Sequence, residues 1–190
     1  MIRQGTTSRM TKILQYFTTW YRETKVIDKR FLKFLKYYLT QASLAAVAML
    51  LVLILVDSLA DAALAAGLGA SVAIIFIHPS NPTGRYRSLI GGHFIGIALG
   101  ALFSVLIFSS PMSENFATIP WLSDICLGLS VGLMILIMAI TNTEHPPAVG
   151  ILLGVALQPW QWTTFVALVI AVFILAIIRW TFRSWLRDLV

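Results

Sequence analysis

The sequence has very little cysteine and very little charge. Its single cysteine, Cys126, lies inside an apolar run, so it has no partner for an internal disulfide and cannot belong to a multi-cysteine zinc or thiol site. Only 12% of the residues are charged, whereas 58% are hydrophobic and the mean hydropathy is +0.86. This composition lies far outside that of soluble globular proteins, and it predicts an integral membrane protein.

Acidic residues are scarce as well, with eight Asp and Glu in 190 residues. No serine or aspartate arrangement suited to intramembrane hydrolysis is recognisable. The three histidines lack compact ligand spacing, and the sequence contains no HExxH motif. We therefore expect no enzymatic activity, no bound metal and no cofactor, and the length allows one helical bundle without a separate soluble catalytic domain.

The basic residues are distributed unevenly. Nine of the fourteen Lys and Arg residues lie in residues 1–36, three follow Ile178, and only Arg85 and Arg87 lie between. Such clustering at the edges of apolar segments is typical of cytoplasmic flanks, and it leaves no basic-aromatic surface for nucleic acid. We predict a multi-pass integral membrane protein, located in the inner or plasma membrane if it is bacterial, with both termini in the cytoplasm.

Residues 1–36 combine this charge with apolar residues at roughly helical spacing, among them Phe17 and Trp20. The pattern predicts an amphipathic helix on an anionic membrane surface, or a lead-in that only orients the first span. The predicted domains are a basic interfacial segment over 1–36, a transmembrane domain over 37–182 and a basic tail over 183–190.

Five apolar segments are long enough, or nearly so, to cross a bilayer. They are predicted over residues 38–56, 62–77, 89–108, 122–140 and 163–178. A sixth, 148–157, would extend roughly 15 Å as helix, so it is a half-helix or a re-entrant segment. If the segment 148–157 crosses the membrane, the C-terminal arginines face the cytoplasm. If it returns to the side where it began, those arginines lie outside, contrary to the positive-inside rule. The fold class is an all-α membrane protein, a polytopic bundle of about five full spans plus this short segment.

Glycines repeat every four residues in several of these segments. Small residues at this spacing form one stripe, which lets helix backbones approach closely and also makes a homo-oligomer plausible. The predicted helix-packing positions are Gly92, Gly96, Gly100, Gly128 and Gly132.

The apolar pattern is interrupted most sharply at residues 141–147, whose sequence is TNTEHPP. Two successive prolines exclude regular helix, and irregular backbone at membrane depth must be buried by protein or line water. A helix that begins after Pro147 offers free N–H groups and partial positive charge, which suit an anion. Glu144 either carries protons from a desolvated position or caps the next segment from water.

Further polar residues are expected near this interruption. His78-Pro79 ends the second apolar segment in a similar way. Interruptions at corresponding positions of two internal repeats are typical of transporters that arose by duplication. His93, one turn inside the third span, is either functional or hydrogen-bonded to a neighbouring helix. Arg85 and Arg87 either attract anions to the pathway, or set the orientation of the adjacent spans and contact lipid phosphate groups. The candidate pathway residues are His78, Asn81, Arg85, Arg87, His93, Thr141, Asn142, Thr143, Glu144, His145, Pro146 and Pro147.

Two motifs resemble those of the HPP family of integral membrane proteins over roughly residues 40–180. They are RSLIGGH at 87–93, preceded by Asn81-Pro82, and TNTEHPPA at 141–148. The resemblance implies a transporter-like protein, because members from photosynthetic organisms are associated with nitrite transport across plastid or cyanobacterial membranes. It assigns functional positions to Arg87, His93, His145, Pro146 and Pro147.

The sequence departs from that family at Ser88, where members often have Asn, and at Val149-Gly150, which replaces an Ala- and Thr-rich continuation. The expected function is a transporter or channel for a small inorganic anion, and nitrite is the favoured substrate. The expected partners are this anion, membrane lipids and further copies of the chain. The alternative is an accessory membrane protein that binds a partner subunit or lipid through its basic N-terminal helix.

Overall fold

The computed structural model describes residues 30–56, 62–109 and 112–189. The chain divides into two units, residues 1–38 and 39–190. Apart from its last residues, the predicted surface helix over 1–36 lies outside the described residues.

All regular structure in the described residues is helical. The helices are α1 (Arg30–Val56), α2 (Ala62–Ile77), α3 (Tyr86–Phe108), α4 (Met112–Thr118), α5 (Pro120–Thr141), α6 (Ala148–Ala156) and α7 (Trp162–Phe182), with a 3-10 turn at Pro82–Gly84. Four of them, α1, α3, α5 and α7, are long and apolar enough to cross a membrane, and α2 is a shorter apolar helix of 16 residues. The predicted polytopic α-helical membrane bundle is confirmed.

Several helix boundaries differ from the prediction: α3 begins at Tyr86 rather than at residue 89, and α7 ends at Phe182 rather than at residue 178. α1 begins at Arg30 rather than near residue 38, and Phe34 within it has non-helical dihedral angles (φ −116°, ψ 20°). The exposed Lys33 and Lys36 allow the helix to continue past the apolar segment, because long basic side chains keep their charged ends in water. The chain between α3 and α5 contains α4, where Glu114 in the first turn interacts favourably with the helix dipole.

α6 lies between α2 and α3 and is in close backbone contact with both. A Cβ atom placed on Gly67 of α2 would lie 2.9 Å from the carbonyl oxygen of Pro147, and one on Gly96 of α3 would lie 2.7 Å from that of Ala148. At Gly100 the nearest atom is Cβ of Val155, at 2.8 Å. Glycine is therefore needed on both neighbours of α6 because backbone atoms occupy the side-chain position.

Gly128 and Gly132 of α5 do not take part in such packing. A Cβ atom at either position would meet no other part of the described chain within 4 Å. The buried positions of α5 are Ser130, Met134 and Met138. Ser130 and Met134 each follow a glycine by two residues, which is about 200° around a helix, and Met138 lies one turn beyond Met134, so the glycines lie on the opposite face. The packing prediction for these two residues is not met within one chain.

The short segment before α6 and α6 itself together cross the bundle. Near the start of α3, Arg87 Nη2 donates to the carbonyl oxygen of Thr141 at 2.7 Å, and near its end Ser104 Oγ donates to that of Gln158. α7 then returns, because Arg179 Nη2 donates to the carbonyl oxygen of Pro79 at 2.9 Å. α2 and α7 therefore end at the same end of the bundle, as expected if the half-helix crosses rather than returns.

Residues after α7 fold back onto this end of the bundle. The amide group of Leu189 donates to the carbonyl oxygen of Ile77 at 3.0 Å. Gln41, only 2% exposed, donates to the carbonyl oxygens of Phe76 and Arg187, and its Oε1 accepts from the amide of Arg187 at 2.9 Å. The described tail, 183–189, is thus held by α1 and α2.

Candidate functional site

Two histidines and a serine from three different elements meet inside the bundle. Ser71 Oγ of α2 lies 3.2 Å from Nε2 of His93 on α3 and 3.0 Å from Nε2 of His145. The two imidazole centroids are 4.7 Å apart, and all three residues are 0% exposed. We call these three residues the histidine cluster.

The other ring nitrogens fix the tautomer of each imidazole. Nδ1 of His93 lies 2.7 Å from the carbonyl oxygen of Leu89, and Nδ1 of His145 lies 2.7 Å from that of Thr83. A carbonyl oxygen can only accept, so both Nδ1 atoms carry hydrogen. Both neutral rings therefore direct an Nε2 lone pair towards the hydroxyl of Ser71.

The interrupted segment brings His145 to this depth. Ser71 precedes the end of α2 by six residues, which places the cluster about 9 Å below that end of the helix. Gly92 makes room for the segment, because a Cβ there would lie 2.5 Å from Cβ of His145 and 3.1 Å from the carbonyl oxygen of Thr143. Thr143, His145 and Pro147 of the non-helical segment are thus buried by protein, whereas the alternate residues Asn142, Glu144 and Pro146 are exposed; at membrane depth such backbone must be buried or line water.

A polar cavity of about 180 Å³ lies next to the cluster. We call it the vestibule; it is lined by Pro82, Thr83, Arg85, Arg87, Ser88, Asn142 and Glu144. Thr83 joins the vestibule to the histidine cluster, because its carbonyl oxygen accepts the hydrogen bond from His145. Two arginines against one glutamate give the lining a net positive charge.

The arginines of the vestibule have different surroundings. Arg87 donates to the last carbonyl group of α5, at Thr141, and so completes the hydrogen bonding of that helix end. Arg85 precedes α3, makes no side-chain capping bond and is exposed. Both arginine side chains are exposed, but one nitrogen of Arg87 is engaged by that carbonyl group, whereas Arg85 makes no capping bond.

The polar residues around the end of α5 form a compact turn. Asn142 adopts the left-handed conformation (φ 53°, ψ 47°), and its amide group donates back into α5. Thr141 Oγ1 lies 2.7 Å from Thr143 Oγ1, and Thr143 is 8% exposed. Glu144 and Pro146 are exposed, whereas Pro147 is buried. The hydroxyl groups hold this turn together, while Asn142 and Glu144 line the vestibule.

The expected free amide groups at the start of α6 are not free. The amides of Ala148, Val149 and Gly150 donate at 3.0–3.1 Å to the carbonyl oxygens three residues earlier. This tight turn satisfies them internally, because each makes an i to i−3 bond. The start of α6 is therefore no ready anion site in this conformation, which corrects the expectation from the sequence.

The structure does not bring His78 or Asn81 into the cluster or the lining of the vestibule. Asn81 Oδ1 accepts from the amide and hydroxyl of Thr83, both at 2.9 Å, and so shapes the turn that positions the Thr83 carbonyl. His78 lies near Asp188 of the C-terminal tail. The two His-Pro sequences therefore have different surroundings, despite their similar positions after apolar segments.

Ser71 and Thr83 were not predicted from the sequence. Ser71 is the only polar residue of α2, a signal that was available, but a lone serine in an apolar helix commonly bonds its own backbone. It also does so here, at 3.0 Å from the carbonyl oxygen of Gly67. Thr83 acts through its backbone, which leaves no signal in the sequence. Within the described ranges, no three His, Cys, Asp or Glu side chains form a group that could hold a metal ion.

Asp188 ties the tail to the turn that precedes the vestibule. Its carboxylate accepts hydrogen bonds from the hydroxyl and the amide of Ser80, and these bonds, with a smaller contribution from nearby His78, lower the pKa of Asp188. A lowered folded-state pKa stabilises the folded state above the unfolded-state pKa, and this contribution disappears as pH falls through the folded-state pKa.

We therefore expect the contact between Asp188 and Ser80 to weaken, and the tail to open more often, as the pH falls below the ordinary aspartate pKa of about 3.9. Amide hydrogen exchange of Arg187 and Leu189, corrected for intrinsic rates, measures this opening. Asp188→Asn should exchange faster already at neutral pH and show no further acid effect. Acid-independent exchange in the unmodified protein would contradict the assignment.

Comparison with known proteins places these features in a family. The model described as "HPP, transmembrane region" matches residues 33–187. The chain belongs to the HPP family. The matched HPP region contains the histidine cluster and the whole lining of the vestibule.

A Dictyostelium discoideum protein described as a transmembrane protein is 33% identical over 101 residues. The match covers 51% of this HPP chain and 32% of that relative, so the chain spans about a third of the length of the relative. No solved structure matches.

Proposed function

We propose that this HPP protein transports a small monovalent inorganic anion, with nitrite as the first substrate to test. The observation that carries the proposal is the vestibule, which has a net positive lining and is joined through Thr83 to the buried histidine cluster. Arg85 offers an accessible guanidinium group, and Asn142 offers an amide. Such donors replace part of the hydration of an anion, while the positive charge concentrates it at the entrance.

The proposed orientation places the vestibule on the cytoplasmic side. Within residues 39–190, the vestibule arginines and Arg179 lie at the end where α2 and α7 finish. Glu114 and Asp124 belong to α4 and the start of α5, which follow the opposite end of α3. This charge asymmetry follows the positive-inside rule.

The described conformation is closed beneath the vestibule. His145 is 0% exposed, and α6 is packed against glycines of α2 and α3 without room for a side chain. Transport therefore requires a second conformation in which the interrupted segment and α6 separate from one of these neighbours. Such an alternation around a broken helix is common in secondary transporters.

Uptake by the purified protein in proteoliposomes tests the proposal. We expect saturable uptake of nitrite above that of protein-free vesicles, and competition by nitrate, formate and chloride will define the preferred anion. Absence of protein-dependent uptake for all four anions would contradict the proposed function.

Arg85→Gln tests the role of the vestibule in this transport. Loss of an accessible positive charge should raise the apparent KM by about fivefold at low ionic strength, with a smaller effect in high salt. The maximal rate should change little. The matched control is Arg183→Gln, because Arg183 is exposed at the end of α7 and does not line the vestibule. An unchanged KM, or equal changes in both variants, would contradict this role.

A further inference from the structure

The histidine cluster contains fewer hydrogen-bond donors than acceptors. Three acceptors surround the hydroxyl of Ser71, namely Nε2 of His93, Nε2 of His145 and the carbonyl oxygen of Gly67. Both Nδ1 hydrogens are already donated to backbone carbonyl groups, so the hydroxyl hydrogen is the one donor available to all three acceptors. At least one buried imidazole nitrogen therefore has no hydrogen to accept, which is unfavourable away from water.

One additional proton would complete the cluster. A proton on either Nε2 donates to Ser71 Oγ, and the hydroxyl then donates to the other Nε2. Every nitrogen of the two rings would have a hydrogen-bond partner, and the proton could pass from one imidazole to the other through the hydroxyl. The same arrangement would exist with the roles of His93 and His145 exchanged, because Ser71 lies within 3.2 Å of both.

The added proton would bring a charge that the protein does not neutralise. α2 and α6 contain no titratable side chain. The titratable or charged groups on the other elements around the cluster are His78, Arg85, Tyr86, Arg87, Asp124, Cys126, Glu144 and Arg179. Among the described residues, no carboxylate forms a hydrogen bond or ion pair with either imidazole. A buried cation without a counter-ion is strongly disfavoured, so the neutral cluster is stable alone.

An anion from the vestibule would supply the missing counter-ion. We infer that the histidine cluster binds one proton together with one monovalent anion, so that the protein acts as an electroneutral proton–anion symporter. This inference rests on the proposed transport function and adds its coupling ion and stoichiometry. The physical reason is that the pair enters the low-dielectric interior without net charge, whereas either ion alone does not.

Simultaneous measurement of anion and proton uptake tests the inference. Proteoliposomes containing a trapped pH indicator are given nitrate under a clamped membrane potential. Nitrate is the appropriate probe because its acid form is absent near neutral pH, whereas nitrous and formic acids cross lipid without a protein. We expect one proton to enter per nitrate, at a rate independent of the clamped potential. Nitrite is then measured against protein-free vesicles under the same conditions.

Ser71→Ala should lower coupled uptake about tenfold, because it removes the hydroxyl bridge between the imidazoles. Ser130→Ala is the matched control, since Ser130 is equally buried but its hydroxyl bonds only to the Leu127 carbonyl group of its own helix. Nitrogen-15 NMR of labelled histidine should show imidazolium in the unmodified protein only when anion is present, which reports proton binding independently of flux.

The outcomes separate the two proposals. Anion uptake without proton uptake, or uptake that follows the clamped potential, would overturn the symport inference and leave the transport function intact. Absence of uptake for every anion would overturn both. Equal coupling in Ser71→Ala and Ser130→Ala, or anion-independent imidazolium, would overturn the role of the cluster.

Discussion

Gly67→Ala is expected to be among the most destabilising single substitutions in this protein. The added Cβ would lie 2.9 Å from the carbonyl oxygen of Pro147, 3.0 Å from the amide nitrogen of Ile151 and 3.2 Å from the carbonyl carbon of Gly150. All three are backbone atoms, so no side-chain rotation can relieve the overlap. Overpacking commonly costs about 1–3 kcal/mol, and we expect about 3 kcal/mol here because α2 and α6 must move apart.

Gly128→Ala provides the matched control for this prediction. Gly128 is also a helical glycine in an apolar span, but nothing lies within 4 Å of the position of its Cβ. Alanine there should stabilise by up to about 1 kcal/mol, because it restricts the unfolded backbone. Unfolding free energies from denaturant titrations in micelles measure the difference. Equal stability of the two variants would contradict the close packing of α2 on α6.

His145→Ala is expected to lower anion uptake to the level of protein-free vesicles. The substitution removes the ring that links the Thr83 carbonyl group beside the vestibule to Ser71 in the interior. It also removes one of the two imidazoles proposed to share the transported proton. A thermal melt should accompany the uptake assay, because deletion of a buried ring also leaves a cavity that lowers stability.

His78→Ala is the appropriate comparison for that loss. His78 also precedes a proline at the end of an apolar segment, but it is partly exposed and lies outside the cluster and the vestibule. We expect this variant to transport at close to the unmodified rate. Uptake that survives in His145→Ala, or that disappears equally in both folded variants, would contradict the site.

The sequence predicted the helices well because each helix reflects local composition. The bounds of α2 match the prediction, and α6 ends one residue before its predicted limit. Helix over residues 30–36 was predicted as the end of the surface helix, whereas α4 was missed because short polar helices lack a strong apolar signal. The glycine spacing coincides with close packing at Gly92 but with no neighbour within 4 Å at Gly128, since spacing alone does not show which face meets a neighbour.

The site was only partly predictable for a related reason. The interruption at His145 and the exposed position of Arg85 follow from proline chemistry and charge. The expected anion site at the start of α6 was wrong for this conformation, because its amide groups pair with carbonyl groups three residues earlier. That pairing depends on how tightly the backbone turns after Pro146, which residue types do not specify.

By itself, the sequence determined that this chain is a helical membrane protein, because composition and apolar length are local properties, and its motifs at 87–93 and 141–148 carried the resemblance to the HPP family. Only the tertiary structure decided that His93 and His145 share one hydroxyl group. Ser71 is separated from them by 22 and 74 residues along the chain. Their contact depends on the glycines that allow α2, α3 and the segment before α6 to approach within backbone distance, and such an approach is a property of three packed elements together.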